Sequence, residues 1–341
     1  MFLTEINIFL QSLSSAWLTA VFKFFSFVGE REFMIPFMIA ITFGIHFRYG
    51  FIIFHISFWS SVITNSLKDV FALPRPHNVD AAVQLLGENT PNPTPFKGMG
   101  AKHFFGCLPG EIVEYFRTQG VWLGGGRSFG FPSGHASSAI SLWGAIFLFN
   151  RLPWLRIIAV IFILFIPLSR LYLGLHFLAD VLGGLLIGLA VLLFFYRFIF
   201  LDKKLQAWLF EKIRTFKTML PTIFFLIYCF IFPFLLLLIP GIHQAAAPTL
   251  LGLNCSFFMV RLRGLPQEGG TLRQRLSRIA IAALFYFGIN LALKWPANLE
   301  IPLPPGIIKF TRETLTICLS IWGAYETNIK LGLFKISKND A

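Results

Sequence analysis

Charged residues are scarce in this chain. Only 13% of its 341 residues are Asp, Glu, Lys or Arg, whereas a soluble domain carries about a quarter. Acidic residues are rarer than basic ones, with 16 Asp and Glu against 29 Lys and Arg. The four cysteines are too few and too scattered to predict a disulfide framework. No basic residue precedes Lys23, so the N-terminus is not typical of a secretory signal.

Long apolar blocks take the place of the missing charges. Hydrophobic residues make up 56% of the chain, and the mean hydropathy is +0.71. Blocks such as 181–196 and 223–239 approach the roughly 20 residues that cross a bilayer. Because a backbone in hydrocarbon must satisfy its own hydrogen bonds, such blocks are helical. We therefore predict an all-α fold, a polytopic transmembrane helical bundle.

The apolar pattern predicts about nine membrane spans after an N-terminal interfacial helix. Residues 1–29 form that amphipathic helix, with apolar residues such as Leu10, Trp17 and Phe24 at helical spacing. The predicted spans lie near 32–47, 51–72, 134–150, 154–171, 176–199, 219–239, 246–262, 275–293 and 306–326.

The distribution of Lys and Arg predicts which side of the membrane each loop occupies. The loops 197–218 and 261–275 are rich in them, while the loops 172–175 and 240–245 have none. Lys309 and Arg312, at the outer end of the last span, are the only awkward pair. The basic loops are therefore expected in the cytoplasm. The net charge of +13 then orients the bundle and contacts anionic lipid head groups, which argues against nucleic acid as a partner.

One long connection stands apart from the apolar pattern. The segment 74–132 is polar in patches and rich in Gly and Pro, and connections of this length are usually functional or disordered. We expect it on the non-cytoplasmic side, with a short helix over 111–119.

Polar residues gather at helix ends on that same non-cytoplasmic side. They form three stretches, which read KDVFALPRP (68–76), FPSGH (131–135) and SRLYLGLHFLAD (169–180). Ionisable groups at membrane depth are costly and therefore point to function. Three of them are cations that suit an anionic ligand, and the arginine fork matches phosphate oxygens; these cations are Lys68, Arg75 and Arg170.

The spacing inside these stretches also predicts chemistry. His176 and Asp180 are four residues apart on one predicted helix, which places them on one face. The carboxylate then accepts from one ring nitrogen and leaves the other free to attack. Ser133 and Gly134 open a helix whose backbone N–H groups point at the same place.

Together, the three stretches resemble the three-part signature of the type 2 phosphatidic acid phosphatase superfamily, K-x6-RP, PSGH and SR-x5-H-x3-D, with every position present. The resemblance covers roughly residues 30–200. It implies that His176 is the nucleophile, that Asp180 orients it, and that His135 protonates the leaving oxygen. It also implies that the phosphoryl oxygens are held by Lys68, Arg75, Ser133, Gly134 and Arg170. The whole chain has a fainter resemblance, of layout only, to glucose-6-phosphatase.

The apolar pattern and this resemblance together predict three parts and a function. The parts are the interfacial helix 1–29, a phosphatase core 30–200 that includes the loop 74–132, and a C-terminal four-helix membrane extension 201–341. The expected activity is hydrolysis of a lipid phosphomonoester or diphosphate at the non-cytoplasmic face, of the plasma or inner membrane if the source is bacterial. We expect no cofactor and no catalytic metal, because no carboxylate or Cys/His cluster has metal-ligand spacing.

Three alternatives remain open at this stage. The substrate is a water-soluble sugar phosphate in the first, and the protein is a non-catalytic phospholipid-binding or transport protein in the second. The third is a haloperoxidase, because soluble vanadium haloperoxidases share the signature, but the predicted spans argue against it. The other histidines are expected to be structural: His46, His55, His77, His103 and His243. The pattern leaves the exact substrate and the oligomeric state undetermined.

Overall fold

The computed structural model describes residues 3–71, 73–80, 82–86, 129–210, 219–239, 242, 245–267, 269–294 and 304–336. These residues are helical, and their only strand-like pairing is an isolated bridge between Pro266 and Ile336. The predicted all-α fold is therefore confirmed for this part of the chain. The short helix expected over 111–119 lies outside the described residues.

The helices follow the predicted order. Those of the first half are α1 (Glu5–Ser12), α2 (Ala16–Val28), α3 (Arg31–Ile39), α4 (Phe47–Phe71), α5 (Pro76–Val79), α6 (Gly134–Phe149), α7 (Pro153–Tyr172) and α8 (Leu178–Phe195). Those of the second half are α9 (Lys203–Leu209), α10 (Met219–Leu226), α11 (Phe232–Leu235), α12 (Ala246–Arg263), α13 (Leu272–Lys294) and α14 (Pro305–Lys330). Turns of π-helix extend α3 over Ala40–Ile45 and α8 over Tyr196–Phe200, and join α10 to α11 over Ile227–Ile231.

Five helical stretches of the described chain are long and apolar enough to cross a bilayer. They are Phe47–Phe71, Pro153–Tyr172, Leu178–Phe200, Pro221–Leu238 and Leu272–Lys294. The other four predicted spans coincide with helices but stay predictions as spans. Helix α6 is apolar but has only 16 residues, fewer than these five stretches. Helix α12 buries many of its residues inside the protein, where packing against other helices accounts for its weaker apolar character.

The N-terminal segment forms two helices where one was predicted. Helix α1 ends at Ser12, and Ser15 begins α2 by accepting a hydrogen bond from the N–H of Leu18. Polar residues of α1 also face inward, since Asn7 is fully buried. The break at 13–15 arises because a capping serine satisfies the free N–H groups of a new helix start.

The described chain divides into two compact units, and each is discontinuous in sequence. The first consists of 1–34 and 55–195, and the second of 35–54 and 196–341. The sequence had placed 35–54 with the phosphatase core. In the structure this segment packs on α13, because Gly44 lets the π-helical turn approach the side chain of Ile279 closely.

In the first unit, α6 lies in close contact with α7 and α8, and α2 packs on α7. Gly184 and Gly188 on α8 face the backbone carbonyls of Ser133 and Ser137, and a Cβ at either glycine would overlap them. Small residues at this spacing are typical of helices that pack closely in membranes. The contact fixes the start of α6 against the start of α8. In the second unit, α14 packs against both α12 and α13.

Candidate active site

His176 and Asp180 form a buried pair where the chain enters α8. Nδ1 of His176 lies 3.3 Å from Oδ2 of Asp180, and each side chain is 1% exposed. The helix begins at Leu178, so the two residues do not share a helix as predicted. The pair forms because Asp180 sits in the first helical turn, where Oδ2 also accepts the N–H of Phe177 at 3.0 Å.

The surroundings of His176 keep its ring neutral. Burial, followed by the positive charges of Arg75 and Lys68, holds the pKa of His176 well below its ordinary value. Its Nδ1–H is committed to Asp180, which leaves Nε2 as the nitrogen with a free lone pair. A neutral imidazole oriented in this way is able to act as a nucleophile.

The two arginines of the signature are buried beside this histidine. Arg75 is 7% exposed and donates from Nη1 to the carbonyl of Leu175 at 3.1 Å. Arg170 is 6% exposed, and its Nη1 donates a short hydrogen bond to Oγ of Ser26. Lys68, in the last turn of α4, is close enough for its charge to act on His176. Three cations thus surround one imidazole, an arrangement that suits an anion with several oxygens.

His135 faces a carboxylate that the sequence analysis did not single out. Its Nε2–H donates to Oε1 of Glu30 at 2.9 Å. Glu30 also lies 3.9 Å from Nη1 of Arg170. Burial alone raises the pKa of Glu30, but the hydrogen bond from His135 and the positive charges of His135, Arg170 and Arg75 outweigh it, so that the pKa lies below its usual value. Glu30 is therefore a carboxylate at neutral pH.

The start of α6 offers fewer backbone donors than predicted. Ser133 is the N-cap, and its Oγ accepts the N–H of Ala136 at 3.4 Å. The N–H of Ser133 donates to the carbonyl of Asp180 at 2.9 Å, so it is not available to a ligand. Of the predicted pair, the N–H of Gly134 is the donor left for a phosphoryl oxygen.

Two further side chains hold the loop that carries His176. Asn7 donates from Nδ2 to the carbonyls of Leu171 (2.8 Å) and His176 (3.0 Å). His77 donates from Nδ1 to the carbonyl of Gly174 at 3.1 Å. Burial lowers the pKa of His77 to about 4, so the ring is neutral, in line with the structural role expected for it.

The structure gathers all eight predicted site residues in the first unit. It adds three from the N-terminal segment, Asn7, Ser26 and Glu30, that were not predicted. Asp69, beside Lys68 in the chain, is exposed. Among the residues that the structure describes, no cluster of His, Cys, Asp or Glu is suited to hold a metal ion. The Gly-rich run 124–126 lies outside the described residues.

Comparison with known proteins supports the signature. A family model described as PAP2 superfamily matches residues 45–204, a segment that contains all eight predicted site residues. The predicted resemblance to type 2 phosphatidic acid phosphatases is thereby confirmed. No solved structure matches the chain.

Three curated relatives match over shorter stretches. Phosphatidylglycerophosphatase B of Bacillus subtilis is 46% identical over 94 residues, which are 25% of this chain and 45% of the relative. A lipid A 4'-phosphatase of Bacteroides thetaiotaomicron is 45% identical over 65 residues, 18% of this chain and 28% of the relative. A second lipid A 4'-phosphatase, of Porphyromonas gingivalis, is 32% identical over 90 residues, which are 26% of this chain and 36% of the relative. The chain thus spans less than half the length of each.

Proposed function

Because residues 45–204 match the PAP2 superfamily, we propose that the protein is a membrane phosphatase that hydrolyses a lipid phosphomonoester or diphosphate through a phosphohistidine. The proposal includes nine spans, with the active site at the non-cytoplasmic face and no cofactor or catalytic metal. The observation that carries it is the buried pair of His176 and Asp180, since a binding protein would not need an oriented, neutral imidazole beside three cations.

In the first step, Nε2 of His176 attacks the phosphorus while the bond to the leaving oxygen breaks. Asp180 stabilises the imidazolium that results, through the hydrogen bond at Nδ1. His135 supplies a proton to the leaving oxygen, so the alcohol departs neutral. In the second step, His135 takes a proton from water as water attacks the phosphorus, the bond from phosphorus to nitrogen breaks, and inorganic phosphate is released.

The phosphoryl oxygens carry most of the charge throughout both steps, and catalysis of phosphoryl transfer consists largely of positioning and charge stabilisation. The cations assigned to this task are Lys68, Arg75 and Arg170. The N–H of Gly134 joins them at the positive end of α6. Ser133 contributes by capping that helix, because its own N–H already binds Asp180.

A lipid phosphate is the favoured substrate. Proteins named phosphatidylglycerophosphatase B and lipid A 4'-phosphatase are similar to this chain over part of their length. Long apolar helices also carry Lys68, Arg170 and Asp180. A site at the outer interface meets a lipid head group without extracting it from the bilayer. A water-soluble sugar phosphate is the second candidate, suggested only by the layout resemblance to glucose-6-phosphatase.

Turnover of purified protein against a panel of substrates tests the proposal. The panel contains phosphatidic acid, phosphatidylglycerol phosphate, an isoprenyl diphosphate, lipid A and glucose 6-phosphate, with phosphate release as the readout. We expect release from at least one lipid, and none from His176→Ala on the same substrate. Release from the sugar phosphate alone would replace the lipid assignment, and undiminished release by His176→Ala would refute the mechanism.

A further inference from the structure

The site contains two histidine–carboxylate pairs, and they differ in exposure. In the pair of His176 and Asp180 both side chains are 1% exposed. In the pair of His135 and Glu30 the side chains are 17% and 44% exposed. The second pair therefore forms the more open side of the site. A leaving group must depart toward the open side, which is where a proton donor is needed.

The backbone holds Glu30 in a defined place. The N–H of Gly29 donates to the carbonyl of Ser26 at the end of α2, and the carbonyl of Glu30 accepts the N–H groups of Phe33 and Met34 at the start of α3. The residue is thus fixed between two helices. It lies before the segment 45–204 that matches the PAP2 superfamily.

The ring of His135 fits closely against this junction. A Cβ at Gly29 would lie 2.7 Å from Cδ2 of His135, so only glycine permits the ring to approach here. Nε2 of the same ring is bonded to Glu30 at 2.9 Å. The contact with Gly29 and the bond to Glu30 together set the plane of the ring, and they direct Nδ1 away from the junction.

From this geometry we propose that Glu30 is a positioning residue, which orients His135 and holds it as the proton donor to the leaving oxygen. The inference rests on the proposed function. A carboxylate on Nε2–H stabilises the imidazolium and leaves the proton on Nδ1 to be given away. After that transfer the ring is neutral and still donates from Nε2 to Glu30. It is then ready to take a proton from the attacking water.

A structural role is the competing explanation, since Glu30 also lies near Arg170. That contact is long, 3.9 Å, and Arg170 is already held by Ser26. The two explanations predict different kinetics. A positioning residue acts only through His135, whereas a structural residue affects ligand binding and every substrate alike.

Glu30→Gln keeps the size of the side chain and an accepting oxygen but removes the charge. We expect it to lower kcat about ten- to hundredfold on an alkyl phosphate, less than the 10²–10⁴ that a general acid contributes, because the ring of His135 is still present. On an aryl phosphate, whose leaving group is already acidic, the loss should be less than about threefold, because little proton donation is required. Glu32→Gln, a nearby exposed carboxylate on α3, is the matched control and should retain full activity on both.

The double variant Glu30→Gln/His135→Ala decides whether Glu30 acts through His135. We expect it to be no slower than His135→Ala alone, within about threefold, because residues that act as a unit are not additive. Inhibition by orthovanadate should be as tight in Glu30→Gln as in the wild type, or tighter, since a negative charge has been removed beside an anion site.

Four results would overturn the inference: equal losses on alkyl and aryl phosphates, multiplied losses in the double variant, weaker orthovanadate inhibition in Glu30→Gln, or an unchanged kcat of Glu30→Gln on the alkyl phosphate. These outcomes test the role of Glu30 alone. The proposed function is tested separately, by the turnover of His176→Ala. If His176→Ala kept its turnover, the mechanism itself would be wrong whatever Glu30→Gln showed.

Discussion

The side-chain amide of Asn7 donates a hydrogen bond of 3.0 Å to the backbone carbonyl of His176, 169 positions later in the chain. The same amide donates to the carbonyl of Leu171 at 2.8 Å. One residue of α1 thus bridges the end of α7 and the loop before α8. The N-terminal segment, predicted as a separate interfacial helix, therefore helps to hold the loop that carries His176.

Asn7→Ala should reduce both activity and stability. It leaves two buried carbonyls without these donors, and each unsatisfied buried group costs about 1–3 kcal/mol. Asn328→Ala is a suitable control, because Asn328 is a buried asparagine of the second unit that donates to Ala324. We expect thermal unfolding to shift in both variants, but kcat at low temperature to fall only in Asn7→Ala. Equal kcat values in the two variants would show that the hydrogen bonds of Asn7 do not affect the function of the loop that carries His176.

The signature part of the site was predictable because its residues lie in short local patterns. Four-residue spacing correctly paired His176 with Asp180, although the helix begins only at Leu178. The span predicted near 51–72 corresponds to α4, which ends at Phe71 before Pro74 and Pro76. In each case neighbours in sequence determine the geometry.

The N-terminal contributions were not predictable in this way. Glu30 lies 105 residues from His135 in the chain, and nothing in the sequence around either residue links them. Only two features of Glu30 in the sequence hint at a function. It is an acidic residue in a chain with few of them, and it directly follows a glycine between two apolar segments. Such pairings depend on how helices pack, which local periodicity does not determine.

Gly184→Ala should disrupt the site although the residue touches no substrate. Its Cβ would overlap the carbonyl of Ser133, the residue that caps α6, so the two helices must separate. Overpacking of this kind costs about 1–3 kcal/mol. Gly288→Ala on α13 meets nothing within 4 Å and should be neutral or slightly stabilising. Thermal unfolding and turnover of both variants check this, and a harmless Gly184→Ala would contradict the close contact of α6 with α8.

The pH profile should reflect the neutral state of His176. Burial and nearby cations lower its pKa well below the ordinary value of 6.5. The nucleophile is lost only when the ring is protonated, so kcat/KM should hold as pH falls through 6.5 and decline at lower pH. Two substrates with different phosphate pKa values separate the enzyme's titration from the substrate's. An acid limb at or above 6.5, shared by both substrates, would contradict a neutral His176.

Sidedness should follow the charge asymmetry of the loops. In a cysteine-free background, a single cysteine at Asn89 should label with an impermeant reagent in intact cells, because 77–131 is predicted outside. A cysteine at Gln206, within the basic loop 197–218, should label only after permeabilisation. Labelling of the cysteine at position 206 in intact cells would place the basic loops outside. The assignment to outer-leaflet substrates would then be wrong.

The most direct test of the account is capture of the covalent intermediate on His176. Protein mixed with a 32P-labelled substrate and quenched with alkali within milliseconds should carry label that survives base, is lost in acid, and maps to the peptide containing His176. His176→Ala should carry none, while His135→Ala should still be labelled by an aryl phosphate, whose leaving group needs no proton donor. Label that persists in His176→Ala, or that maps to another residue, would contradict the central claim.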